Sequence, residues 1–162
     1  MATRAKSKPP SGTSPSAPDA LPEADPFAYT YFLDESVSGK TLVTAMREAG
    51  YSVKVLAEEF GSGAPDPEWL PLAIAQQWVL ISKDDRWRYR SEEKAILIRA
   101  KARTFIFVSK TARRDEIAEA ILGALPKMAQ LLATQPAPFI ARILLSGYVG
   151  LLYPPDHADS QD

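Results

Sequence analysis

At 162 residues, 46% hydrophobic and 24% charged, the chain has the length and composition of one globular domain with a single core. A formal net charge of −1 gives no overall attraction to polyanions or membranes. Cysteine is absent, which excludes disulfides and thiolate metal sites; the lone His157 lies five residues from the end, which sets aside Ser-His-Asp and imidazole-metal chemistry and leaves oxygen ligands.

Residues 1–26 hold six prolines and four serines with no apolar period. Such a composition cannot offset the entropy of ordering, so residues 1–27 are expected to be a disordered leader. The leader lacks the apolar stretch of a secretory signal, and a cytoplasmic location is expected. Residues 28–33 (AYTYFL) predict a first strand. Residues 40–49 predict a helix with Leu42, Val43 and Met46 on one face, stopped by Gly50. Residues 51–56 alternate around Val53 and Val55 as a second strand. After the loop holding Gly61 and Gly63, Asp66, Pro67 and Glu68 read as a helix start with cap, proline and acidic first turn; Pro71 is placed to distort it. Residues 78–82 (WVLIS) predict a buried parallel strand. Residues 91–101 predict a helix with Glu92 and Glu93 at its positive end, and 104–108 (TFIFV) a fourth strand.

Strands alternating with helices imply an α/β domain around a four-stranded, mainly parallel sheet with right-handed crossovers, and additional C-terminal helices are expected. Residues 112–133 predict a further helix with Ile117, Ile121, Leu122 and Leu125 on one face and a bend near Pro126. Residues 139–153 (FIARILLSGYVGLLY) are strongly apolar, but fifteen residues enclosing Arg142 are too few to span a bilayer. They are expected to pack on the sheet, or to meet a partner chain or a second copy. The expected organisation is a domain over 28–134 and an extension with a polar tail over 135–162.

In parallel α/β sheets ligands bind beyond the carboxyl ends of the strands. The first strand runs into Asp34 and Glu35, the third into Lys83, Asp84 and Asp85, and the loop after the second leads to Asp66 and Glu68. Each acid alone also reads as a turn or cap residue, Asp66 above all. Jointly they would repel one another unless a cation sits among them, and Mg²⁺ or Mn²⁺ suits an all-oxygen set. Such an ion positions water and offsets charge on a phosphate.

Charge is also unevenly placed. Between Lys83 and Arg114 eleven basic residues face four acids, a balance of +7, so the rest of the chain carries −8 of the total −1. Arg86-Trp87-Arg88-Tyr89-Arg90 interleaves cations with aromatics directly after the second acid group. Guanidinium groups grip phosphates and aromatic faces stack on unpaired bases, although Trp87 and Tyr89 read more simply as folded onto the core.

The runs Tyr31-Phe32-Leu33-Asp34-Glu35-Ser36, Ala64-Pro65-Asp66-Pro67-Glu68-Trp69-Leu70 and Val79-Leu80-Ile81-Ser82-Lys83-Asp84, the last followed by the arginine-rich stretch and Glu92 or Glu93, resemble PIN-like domains. They are most similar to the bacterial group related to VapBC-type toxins of toxin–antitoxin systems, and the likeness spans residues 30 to about 110. The resemblance implies a three-layer sandwich that hydrolyses RNA with three or four carboxylates and Mg²⁺ or Mn²⁺, with a cognate antitoxin as protein partner. By position it implies Asp34 and Asp84 as ligands, Asp66 or Glu68 as the acid of the second helix, and Asp85 as a further ligand or water-positioning group. Glu35 joins the ligand candidates, and Lys83, Arg86, Arg88 and Arg90 would steady substrate phosphates. After the fourth strand Ser109 and Lys110 stand where an acid is expected, which thins the metal site. Two other readings are a PIN-like interaction module without catalysis and a receiver-like phosphoacceptor using Asp34, Glu35, Asp84 and Lys110. Lys110 lacks the proline usual after it in receivers.

Overall fold

The chain builds β1 (Thr30–Leu33), α1 (Lys40–Glu48), β2 (Ser52–Val55), α2 (Leu56–Glu59), α3 (Asp66–Ala75), β3 (Val79–Ser82), α4 (Arg86–Tyr89), α5 (Ser91–Arg99), β4 (Arg103–Val108), α6 (Arg114–Thr134), β5 (Phe139–Leu144) and β6 (Val149–Tyr153). This computed structural model describes residues 24–84 and 86–155, without the side chains of Arg86 and Arg88. The expectations placed on the leader up to residue 23, on Asp85, on those two arginine side chains and on His157 lie outside the described residues.

The strands form one sheet in the order β2-β1-β3-β4-β5-β6, parallel from β2 to β5 and antiparallel at the β5–β6 edge. Period-two alternation sends successive side chains to opposite faces. Tyr31, Leu33, Val79, Ile81, Phe105 and Phe107 meet α1 and α6 through Leu42, Met46, Ile121, Leu125 and Met128. Phe32, Leu80 and Ile106 meet α3, α4 and α5 through Trp69, Leu70, Trp87 and Leu97. The result is the expected three-layer α/β sandwich. On the second face, Phe32 stacks on Trp78 at 5.4 Å and lies 4.8 Å from Trp69, which lies 6.1 Å from Trp87. That aromatic row ties α4 to the strand that ends at Asp34.

Four features differ from the sequence-based expectation. The sheet has six strands rather than four, because the apolar extension over 139–153 forms β5 and β6. An apolar run with both faces covered at least in part lacks the alternation that marks a strand; the turn between the two is made by Leu145 and Ser146 and closed by the Gly147 N–H donating to the Leu144 carbonyl at 2.8 Å, with Gly147 at φ +90°. Among the described residues only one helix, α6, lies C-terminal to β4, and its buried stripe includes Ile117, Ile121, Leu125 and Leu132. Asp66 does not cap α3: Pro65 takes that position, and Asp66 is the first helical residue with its carboxylate directed elsewhere. The arginine-rich stretch is the short helix α4, in which Trp87 is buried at 1% exposure while Tyr89 stays 69% exposed.

Candidate functional site

With strand order 2-1-3-4-5 the crossovers reverse direction between β1 and β3, so their carboxyl ends flank the crevice where doubly wound sheets bind ligands. Leu33 pairs with Ile81 in register, and the Asp34 N–H donates to the Ile81 carbonyl at 3.3 Å, which carries Asp34 to the end of β3. There it is buried, 8% exposed. Asp34 Oδ1 accepts from the Ser36 N–H at 3.0 Å and from the Ser36 hydroxyl; Oδ2 accepts from Ser82 Oγ at 2.5 Å. Ser82 Oγ in turn accepts from the Asp84 N–H at 2.9 Å, and Ser36 Oγ from the Lys83 N–H at 2.8 Å. These bonds join the two strand ends into one network. Burial pushes the Asp34 carboxyl up from 3.8 to about 6; the serine bonds hold it down in part, and the Asp66 charge raises it further.

Beside this network opens a cavity of about 660 Å³ lined by Asp34, Glu35, Asp66, Asp84, Glu92 and Glu93, with Leu56 and Ile96 among its apolar walls. Asp66 Oδ2 accepts from the buried Trp87 indole N–H at 3.2 Å, so the aromatic row positions this carboxylate. Glu35 turns to the neighbouring loop, where it accepts from Ser62 Oγ at 2.7 Å and from the Gly63 N–H at 3.0 Å. Gly63 holds φ +78°, a left-handed conformation that glycine adopts without steric cost. Among the described residues Glu93 Oε2 is buried with no hydrogen-bond partner, while Oε1 lies 3.9 Å from Arg90.

Of the residues singled out in the sequence, Asp34, Glu35, Asp66 and Asp84 thus share one cavity, whereas Glu68 on α3 is exposed and does not line it. Lys83 and Arg90 flank the site without lining it, and Lys110, just past β4, does not line it either. The serine hydroxyls that orient Asp34 were not anticipated; the Asp-x-Ser spacing of Asp34 and Ser36, that of a side-chain turn, is the one local signal for them.

The lining fits a hard divalent cation in kind: among the described residues its charged donors are all carboxylate oxygens, none is a cation, and one carboxylate oxygen is buried without a partner. It does not form a finished cage. Among the described residues, no three His, Cys, Asp or Glu side chains stand together as a ligand set. A model of the PIN-like domain family matches residues 30–109, from β1 to just past β4. Comparison with curated proteins and with solved structures gave no match.

Proposed function

Residues 30–109 are a PIN-like domain, and from that premise we propose that the protein is a Mg²⁺- or Mn²⁺-dependent ribonuclease that hydrolyses RNA phosphodiesters. The observation that carries the reading is the meeting of Asp34, Asp66 and Asp84 on one cavity at the β1–β3 crevice. Asp34 and Asp84 would hold the ion with Asp66; when bound, the ion would offset phosphate charge and acidify a water. The chain's own residues set the stage for it. Ser36 and Ser82 donate to the two oxygens of Asp34 and so fix the plane of its carboxylate. The Trp87 indole orients Asp66. Leu56 and Ile96 keep part of the wall apolar, which strengthens electrostatic interactions inside. In the ion-free protein at mildly acidic pH, Asp34 holds a proton that a divalent cation would have to displace, so ion binding would strengthen as pH rises.

RNA cleavage by the purified chain in Mg²⁺ or Mn²⁺, compared with Asp34→Asn and Asp84→Asn, tests this. Loss in both variants is expected, and equal activity in all three would discard the mechanism. A second reading, a PIN-like module that binds a protein partner such as an antitoxin without cleaving RNA, is favoured by one observation: the acids are not gathered into a ready ligand set among the described residues. Folded protein that binds a partner and leaves RNA intact under every divalent cation would select it.

A further inference from the structure

Resting on the ribonuclease reading, the acid cavity poses an electrostatic problem, since a polyanion must approach a wall that, among the described residues, holds six carboxylates and no cation. A second cavity, of about 310 Å³, opens beside it and shares Glu35 and Ser36 with it. Its lining includes Ser38, Thr41, Lys40 from the start of α1 and Arg114 from the start of α6. The two basic residues are brought together because Leu42 and Met46 of α1 pack in the same core as Ile117 and Ile121 of α6. A Cβ built on Gly39 would lie 3.8 Å from Arg114 Cδ, so the arginine stem runs against the loop that leads from Asp34 into α1.

The state of the nearby charges sets this pair apart. Arg113 is paired with Asp115 at 3.4 Å and Arg90 stands 3.9 Å from Glu93. Neither Lys40 nor Arg114 is ion-paired with a carboxylate among the described residues. Glu35, the acid between the two cavities, is held toward Ser62 and Gly63. Two uncompensated cations therefore face a recess lined with hydroxyls, one step from the acids.

We propose that Lys40 and Arg114 hold an RNA backbone phosphate neighbouring the one at the acid cavity, so that the strand crosses the 36–39 loop toward α6. Recognition here is of phosphate and carries no base preference. The Lys83–Arg90 segment is then not the sole grip on the substrate.

The test is fluorescence anisotropy of the full chain with a labelled single-stranded RNA, with Ca²⁺ in place of Mg²⁺, across a salt series. The double variant Lys40→Gln/Arg114→Gln is expected to bind about tenfold or more weakly, and the slope of log Kd against log salt should fall by about 0.7, the value for one phosphate contact on a single strand. Lys127→Gln, farther along α6, should change neither. The charge-conserving Lys40→Arg/Arg114→Lys should keep the slope, which separates lost charge from lost folding. Unchanged affinity and slope in the double variant would overturn the proposal, as would no RNA binding by the wild type, or polyglutamate displacing RNA as well as unlabelled RNA does. Wild type that binds with the expected charge dependence in Ca²⁺ but never cleaves in Mg²⁺ or Mn²⁺ would sink the ribonuclease reading and leave this subsite standing.

Discussion

Replacing Asp34 by Asn should make the protein more stable while removing its activity. An acid whose folded pKa lies above its unfolded value binds more protons in the folded state, so its ionisation erodes stability as pH rises through that interval. For Asp34 the interval runs from 3.8 to about 6. The penalty is absent below its lower end, grows across it and is complete above its upper end. A shift of this size corresponds to about 3 kcal/mol at neutral and alkaline pH. Asn keeps the shape: its Oδ1 can accept the Ser36 bonds, and Ser82 Oγ can rotate to accept from the amide. Imperfect pairing in that exchange costs about 1 kcal/mol. The net gain is then about 2 kcal/mol, or roughly 4–10 °C in Tm for a folded region of this length. The assay is thermal unfolding by circular dichroism at about pH 8 and about pH 4, with chelator so that no ion engages the acids. The variant should melt higher at the alkaline pH, and at the acidic one, where only the pairing cost of about 1 kcal/mol remains, slightly lower than the wild type. A variant less stable at alkaline pH, or one with the same offset at both, would refute the reasoning.

Ser82→Ala removes a donor from Asp34 and the acceptor of the Asp84 N–H; above about pH 6 it should cost about 1–3 kcal/mol in urea unfolding and move the acid limb of any cleavage profile to higher pH. Trp87→Phe keeps most of the aromatic row but loses the N–H aimed at Asp66; a loss of about 1 kcal/mol is expected, together with a drop in cleavage rate that a merely structural role would not produce. Gln77 and Lys101 each sit at φ +62° just past a helix end, where α3 and α5 stop. Gln77→Gly and Lys101→Gly should each stabilise by about 0.5–1 kcal/mol in the same assay, since only glycine takes that conformation without strain.

The layered α/β plan was legible because each central strand is a short apolar run set between helices with clear polar faces, as in 78–82 and 91–101. The last two strands were not. Phe139–Leu144 is covered on one face by α6 and meets Leu80 and Ile106 surroundings on the other, so its residues carry no period to read. The acids were found from their places after strands, a local property. What orients them was not found, because Ser36 and Ser82 are 46 residues apart and meet only through parallel pairing of β1 and β3. Likewise, nothing in the order of residues says that a tryptophan in an arginine-rich stretch will reach Asp66 across 21 positions. The pairing of Lys40 with Arg114 escaped notice for the same reason, since charge counted along the chain ignores which helix starts the fold brings together.

The most direct measurement is paramagnetic broadening of backbone amide resonances by substoichiometric Mn²⁺. If Asp34, Asp66 and Asp84 form one cation site, the Ser36, Gly63 and Asp84 amides should broaden first, those of Gln77 and Lys101 should stay sharp, and Asp84→Asn should remove the effect. Broadening spread evenly over the surface, or undiminished in Asp84→Asn, would contradict a divalent-cation site at the β1–β3 crevice.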